Sequence, residues 1–301
     1  MWRLARLLIA LLSLAPAGLG ETIRVTTWNL EWFPSGSPTS PGIEAEEANI
    51  RAAAKAIAAI NPDVLLLQEV RDWDTCQKLC SAIPSLQYQV LICSAFKDEF
   101  AGGIGRQQVA ILAKKPAFAA FAERWTSKSG VDPPRGYVFA NVPFGTKNIA
   151  FYSVHLKSNL VRSSNARDPL LNIAKRELAA EQLISHCDVV TSTVEHSLDG
   201  IVVGGDFNTN RDQDMFVSER TLDLFEKAGF TDPFRGIPLA KRVTHPGKGR
   251  YPDATFDYLL SSKHLSLTGP PELLRADFSD HLAVTCEYRL PELTAAEVGR
   301  K

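Results

Sequence analysis

The stretch VVGGDFNTN, Val202–Asn210, decides how this chain is read. The apolar run Ile201–Val203 has the character of a buried strand, yet it runs into two glycines and then sets an Asp and an Asn two positions apart. Residues i and i+2 of an extended chain share a face, so Asp206 and Asn208 can act on one point. An Asp or Asn just after a strand also commonly closes an Asx-turn. The paired glycines suit a tight backbone or the close approach of a phosphate. By itself the stretch is divided between a turn and a site, and the rest of the sequence has to separate them.

Other strand-like runs end in the same way. Strands are predicted at Ile23–Trp28, Val64–Val70, Val109–Ala113, Ile149–Leu156, Ile201–Val203, Phe256–Leu260 and Leu282–Tyr288. Helical periodicity falls at Glu44–Ile60, Trp73–Ile83, Pro169–Cys187 (with Leu170, Ile173, Leu178 and Leu183 on its apolar face) and Met215–Ala228. The first is ended by Asn61-Pro62 and the last by Gly229. Against the strand ends stand Asn29, Glu69, His155 with Lys157, Asp206 with Asn208, Asp257, and the pair Asp280-His281. If those ends share one edge of a packed sheet, the polar groups converge in a cleft. No internal repeat or long linker divides the chain, so one mixed α/β domain is expected over residues 21–290, with a tail at 291–301.

The residue types in that cleft point to phosphoester chemistry. Glu69, Asp206 and Asp280 are hard oxygen donors, and Asn29 and Asn208 add neutral oxygens. This set suits Mg²⁺, which takes one or two protein carboxylates and keeps several waters. Mn²⁺ or Ca²⁺ could substitute. It does not suit zinc, since no His pair stands at helical spacing. Two histidines near carboxylates supply acid–base chemistry near neutral pH, which with a cation is what hydrolysis of a phosphoester requires.

Bulk properties narrow the setting. Arg3 and Arg6, the apolar run Leu7–Leu14 and the small residues 15–20 follow the pattern of a secretory signal peptide, so a secreted or periplasmic protein is expected, most simply a monomer. The apolar run is shorter than the roughly 20 residues a membrane span needs. The net charge of −1 excludes a global positive field for nucleic acid; polyanion binding would need local patches. Five cysteines in an exported chain permit disulfides, most plausibly one pair among Cys76, Cys80 and Cys93, with Cys187 and Cys286 as small core residues.

Taken together, the segments TTWNLEW (26–32), LLLQEV (65–70), YSVHLKS (152–158), VVGGDFNTN, TFDYLLSS (255–262) and FSDHLAV (278–284) resemble the endonuclease/exonuclease/phosphatase superfamily, with its DNase I-like fold. The resemblance implies a four-layer α/β/β/α sandwich with its site where the two sheets open at one edge. It places Asn29, Glu69 and Asp280 on the metal side, with Glu69 as principal Mg²⁺ ligand. It makes His281 an acid, base or phosphate contact oriented by Asp257. It gives Asp206 the attacking water, Asn208 the phosphate and the orientation of Asp206, and His155 the charge of the transition state, with Lys157 nearby. Arg106, in GGIGRQQ (102–108), is a further phosphate candidate. Thr255 is a candidate for the same task, and Tyr137 and Arg135 for the groove wall.

The substrate is less constrained. Tyr258 stands where inositol polyphosphate phosphatases carry an arginine. Trp32-Phe33 and Trp125 are the candidates for reaching a membrane. Two basic groups, Lys157, Arg162, Arg167, Lys175 and Arg176 and then Lys241, Arg242, Lys248 and Arg250, favour a polynucleotide backbone. The leading expectation is therefore a Mg²⁺-dependent endonuclease acting on DNA or RNA with little sequence preference. The alternatives are a lipid or small-molecule phosphodiesterase, sphingomyelinase-like, or an inactive binding module of the same fold.

Overall fold

A computed structural model describes residues 21–98, 102–160, 168–193, 198–211, 213–249 and 251–291. The expected signal peptide, nearly all of the tail, and Arg162, Arg167 and Arg250 lie outside the described residues.

In chain order the elements are β1 (Thr22–Phe33), α1 (Ile43–Ile60), β2 (Val64–Val70), α2 (Trp73–Ser81), β3 (Gln89–Cys93), β4 (Gln108–Ala113), β5 (Ala119–Arg124), β6 (Gly136–Phe144), β7 (Lys147–His155), α3 (Asp168–Thr193), β8 (Gly200–Asp206), α4 (Thr221–Lys227), β9 (Phe230–Thr231), β10 (Asp257–Ser262), β11 (Ser266–Leu267), β12 (Glu272–Leu274) and β13 (Ala283–Arg289). One sheet runs β11-β13-β1-β2-β4-β3, with β12 also on β13. The other runs β5-β6-β7-β8-β10-β9. Each contains one parallel pair joined through a helix, β1-α1-β2 and β7-α3-β8, followed by an antiparallel strand. The two halves thus repeat in architecture where no repeat shows in sequence.

Period-two alternation divides the interior into two cores. On β2, Val64 and Leu66 join the core between the sheets, while Leu65 and Leu67 join α1 and α2. That is why LLLQEV is apolar throughout: both faces of the strand are covered. Helix α1 contributes Ile50, Ala53, Ala54 and Ile57 to the outer core. On the far side α3 buries Arg176, Ala179, Ala180, Leu183 and Cys187, whereas Leu170, expected on its apolar face, is exposed. The layers are therefore helix, sheet, sheet, helix.

Several expectations change in detail. The helix expected over 215–228 is a short 3₁₀ turn followed by α4; the break lies where Glu219 turns inward to Arg176. Strands β3, β5 and β6 carry no clean alternation, and β5 is a largely exposed edge strand built on alanines, which propensity does not favour. All five cysteines are free thiols: Cys76 on α2 and Cys93 on β3 meet side chain to side chain, and Cys187 and Cys286 are buried.

The two glycines of the opening stretch serve packing, not a phosphate. A Cβ at Gly204 would lie 2.5 Å from Leu66 Cδ1 and 3.3 Å from Thr27 Cβ, both on the opposite sheet. One at Gly205 would lie 2.0 Å from the carbonyl oxygen of Val154 on the neighbouring strand. Gly204 sets how closely the sheets approach, and Gly205 lets β7 and β8 pair beneath the site.

Two stability predictions follow from this packing. Gly205→Ala must displace backbone and should cost more than Gly204→Ala, where the nearest obstacles are the flexible ends of Leu66 and Leu259; overpacking of this kind costs about 1–3 kcal/mol or more. Thermal denaturation in which Gly204→Ala is the more destabilised would contradict the assignment. Arg176→Leu leaves the buried Glu219 carboxylate without its counter-charge, with only the Thr221 hydroxyl donating to it, and a calorimetric loss of about 3–5 kcal/mol is expected.

Candidate active site

Register alone assembles half of the site. On the second sheet Asp206 is the direct neighbour of His155 on β7 and of Asp257 on β10, so three polar residues form a row across three strand ends. On the first sheet Asn29 pairs with Gln68, and Glu69 follows it. His281 precedes β13, where Ser279 Oγ donates to the Asn29 carbonyl at 2.7 Å and accepts from the His281 N–H at 3.1 Å. The two rows face each other, tied below by Gln68 Nε2 donating to Ser153 Oγ at 2.9 Å.

Asn29 joins the two sides. Its Nδ2 donates to Asp206 Oδ2 at 3.0 Å and to Glu69 Oε1 at 3.2 Å, and its Oδ1 accepts the Glu31 N–H at 3.0 Å. The amide is thus a strut between carboxylates of the two sheets. Asp206 uses its other oxygen locally: Oδ1 accepts the Asn208 N–H at 2.9 Å, an Asx-turn. One carboxylate oxygen of GGDFN closes the turn, and the other faces Asn29, His155 and His281 in the cleft. Asn208, with φ of 52°, orients Asp206 through its backbone, while its Nδ2 donates to the Leu156 carbonyl at 3.3 Å.

The two histidines are held differently. His281 Nδ1 donates to Asp257 Oδ2 at 2.8 Å, leaving Nε2 toward Asp206 Oδ2 at 3.8 Å and Asp280 Oδ1 at 3.9 Å. Burial pulls its pKa down, but Asp257, Asp206 and Asp280 more than offset that and raise it to about 10. His155 Nε2 faces Asp206 Oδ2 at 3.5 Å and Glu69 Oε1 at 3.8 Å. Burial first, and then the positive charges of Arg135, His281 and Lys157, push its pKa well below the ordinary value. One imidazole is therefore held charged and the other neutral. Burial, reinforced by Asp257, pushes Asp206 up to about 7 against the opposing pull of His281 and the hydrogen bonds from Asn29 and Asn208.

Carboxylates crowd the opposite wall. Glu69 Oε2 accepts the Trp32 N–H at 2.9 Å, and Glu31 Oε2 accepts the Asp280 N–H at 3.0 Å. Burial and the charges of Asp280 and Glu69 raise the Glu31 carboxyl pKa. Uncompensated negative charge around hard oxygen donors is the environment a divalent cation stabilises, so the donor set fits the expected ion. Asp280 lies on the flank of this group, with its carboxylate 3.6 Å from His245 Nε2. His245, Asp280 and His281 lie within ligating distance of one another, as do Asp206, Asp257 and His281. The second set is better described as an acid–base chain, because the proton between His281 and Asp257 occupies the nitrogen a metal would need.

Sequence reading did not single out Glu31 or His245. Glu31 had a signal: it stands two positions after Asn29 in the same strand. His245 had none, because it belongs to a loop brought in by Thr244, whose Oγ1 accepts the N–H groups of Phe256 and Asp257. Other candidates move out of the site. Thr255 is buried and exchanges hydrogen bonds with Arg242, and Tyr137 is a core residue donating to Glu123. Arg176 and Arg242 are buried, which removes both from the expected basic patches. Phe33 and Trp125 are also buried and cannot reach a membrane. Lys157, half-buried, keeps its ammonium beside Ser158. Arg106 is bonded to Pro38 and Ser35 and lines a recess beside the site with Trp32 and Arg135.

Comparison with known proteins agrees with this geometry. The sequence profile described as the Endonuclease/Exonuclease/phosphatase family matches residues 26–281, a span that contains every residue of the constellation. Among solved structures, the endonuclease/exonuclease/phosphatase from Beutenbergia cavernae DSM 12333 is 16% identical with a TM-score of 0.65, covering 90% of this chain and 72% of its own. The family protein from Leptotrichia buccalis C-1013-b is 17% identical with a TM-score of 0.60, covering 90% and 100%. The human Nocturnin catalytic domain with bound sulfate is 19% identical with a TM-score of 0.61, covering 89% and 94%. No curated protein matches the chain significantly. A two-sheet sandwich, polar strand ends converging at one edge, and a family match running from β1 to His281 lead to one conclusion: the chain belongs to the Endonuclease/Exonuclease/phosphatase family, whose members hydrolyse phosphoester bonds.

Proposed function

We propose that this protein is an exported, Mg²⁺-dependent phosphodiesterase that acts as a nuclease on DNA or RNA with little sequence preference. The observation that carries the hydrolytic part is Asp206, buried and facing both a neutral and a charged imidazole. The polynucleotide part rests on Lys157, two residues after His155, and on the exposed Lys241 and Lys248, which flank His245 in the chain and suit a phosphate backbone. Among the described residues no helix is long and apolar enough to cross a membrane.

In this reading Glu69, Glu31 and Asp280 hold the ion, with Asn29 fixing Glu69. When bound, the ion offsets phosphoryl charge and supports an oxyanion. Asp206, its carboxyl raised toward neutral pH, accepts a proton from the attacking water. His281, held as imidazolium by Asp257, donates to a phosphoryl oxygen. His155 contributes a neutral N–H to the charge that develops there. Asn208 and Asn29 keep Asp206 aimed.

On plasmid DNA and single-stranded RNA, EDTA should abolish cleavage and Mg²⁺ restore it. Glu69→Ala and His281→Ala should each lower kcat by about 10²–10⁴-fold, with far-ultraviolet circular dichroism unchanged. Loss of cooperative thermal unfolding in both variants would make the residues structural instead. A protein that leaves both nucleic acids intact while hydrolysing sphingomyelin in vesicles would overturn the nuclease assignment in favour of a lipid phosphodiesterase.

A further inference from the structure

Beside the carboxylate wall lies an open recess lined by Trp32, Phe96, Lys97, Arg106, Arg135 and their neighbours. It is joined to the site at two points. Trp32 gives its backbone N–H to Glu69 Oε2, and Arg135 gives Nε and a terminal nitrogen to the carbonyls of His155 and Leu156. A group held in the recess would therefore sit next to the phosphate being attacked.

The backbone at this place is unusual. Glu31 and Trp32 are consecutive non-glycine residues in the left-handed region, with φ of 49° and 51°. Such residues are uncommon, and they are retained where the surrounding structure enforces them, typically at functional sites. Here one conformation sets the Trp32 N–H on Glu69 and carries its indole to the recess. Trp28 and Trp125 pack at a tilt against other rings; among the described residues Trp32 packs against none. It is half-buried, which leaves aromatic surface for a ligand.

The charge selects the ligand. Lys97, Arg106 and Arg135 line the recess against one carboxylate, Asp98. An aromatic wall flanked by excess positive charge disfavours a quaternary ammonium head group. It suits a planar group attached to a phosphate.

We propose that this recess is the subsite for the nucleotide adjoining the scissile phosphate, whose base stacks on Trp32 while Arg106 faces its backbone phosphate. This assignment rests on the nuclease reading and adds to it a preference for unpaired bases, without selection among them, since every base has a π-face.

The test uses single-stranded thymidine hexamers in which only the central linkage is an ordinary phosphodiester and the others are phosphorothioate. One carries all its bases; two others lack the base on one or the other side of the central bond. For the wild-type protein with Mg²⁺, removal of the base on one side only should raise KM about tenfold, in the range of a base–aromatic stack, with kcat little changed. Trp32→Phe should keep that discrimination. Trp32→Leu, apolar but without a ring, should cleave all three hexamers with the same raised KM. Equal KM values for the three hexamers in the wild type, or discrimination retained in Trp32→Leu, would overturn the subsite, as would cleavage of duplex plasmid without cleavage of any hexamer. Failure to cleave plasmid, hexamers or RNA would instead overturn the nuclease reading, and the subsite with it.

Discussion

The site depends on keeping the Asp206 carboxylate out of water between two sheets. Removing a charge from water costs several kcal/mol even after relaxation, and that cost must be offset by hydrogen bonds and opposite charge. The fold provides them from both sides: an amide from β1, a backbone N–H from the residues after β8, and an imidazolium from the segment before β13. The second buried carboxylate, Asp257, is stabilised through the same imidazole. His281 thus serves two acids at once, which is why its own proton is held tightly, while burial keeps the pKa of Asp206 up at about 7 in spite of that imidazolium.

The surrounding structure satisfies this requirement by register and close approach. Pairing of β7, β8 and β10 puts His155, Asp206 and Asp257 in one row, and the glycines below allow that pairing and the contact with the opposite sheet. Above the row, left-handed residues recur on both sheets, at Glu31, Trp32, Glu69 and Asn208. At Glu31, Glu69 and Asn208 the chain leaves extended geometry beside the cleft, while His155, Asp206 and Asp257 stay in the ladder. Local strain and buried charge are concentrated together, as expected where function rather than stability selects the conformation.

Much of this was legible in the sequence because its causes are local. The apolar run into GGDFN and the polar residues at strand ends pointed to one mixed α/β domain and gathered Asn29, Glu69, His155, Asp206, Asp257 and His281, while the sandwich itself was implied by the family resemblance. What escaped depended on distant partners. His245 is at the site because a loop hydrogen-bonds to Asp257 thirteen residues away. The expected basic patches counted Arg176 and Arg242, whose guanidinium groups turn inward to Glu219 and Thr255; residue type cannot report that direction. The glycines were legible as a constraint but not by cause, since the atoms that exclude a side chain belong to β7 and to the opposite sheet. The edge strands β3 and β5 were missed because exposed edges need no alternating pattern.

The central claim is that residues of the two sheets act as one unit through the Asn29–Asp206 hydrogen bond. A double-mutant cycle tests it directly, with kcat/KM for bis(p-nitrophenyl) phosphate measured in Asn29→Ala, Asp206→Ala and the double variant at fixed Mg²⁺. The account predicts strong non-additivity, with the double variant close to Asp206→Ala alone, as for groups that work together. Losses that simply add would show that the two sheets contribute independently and would contradict it.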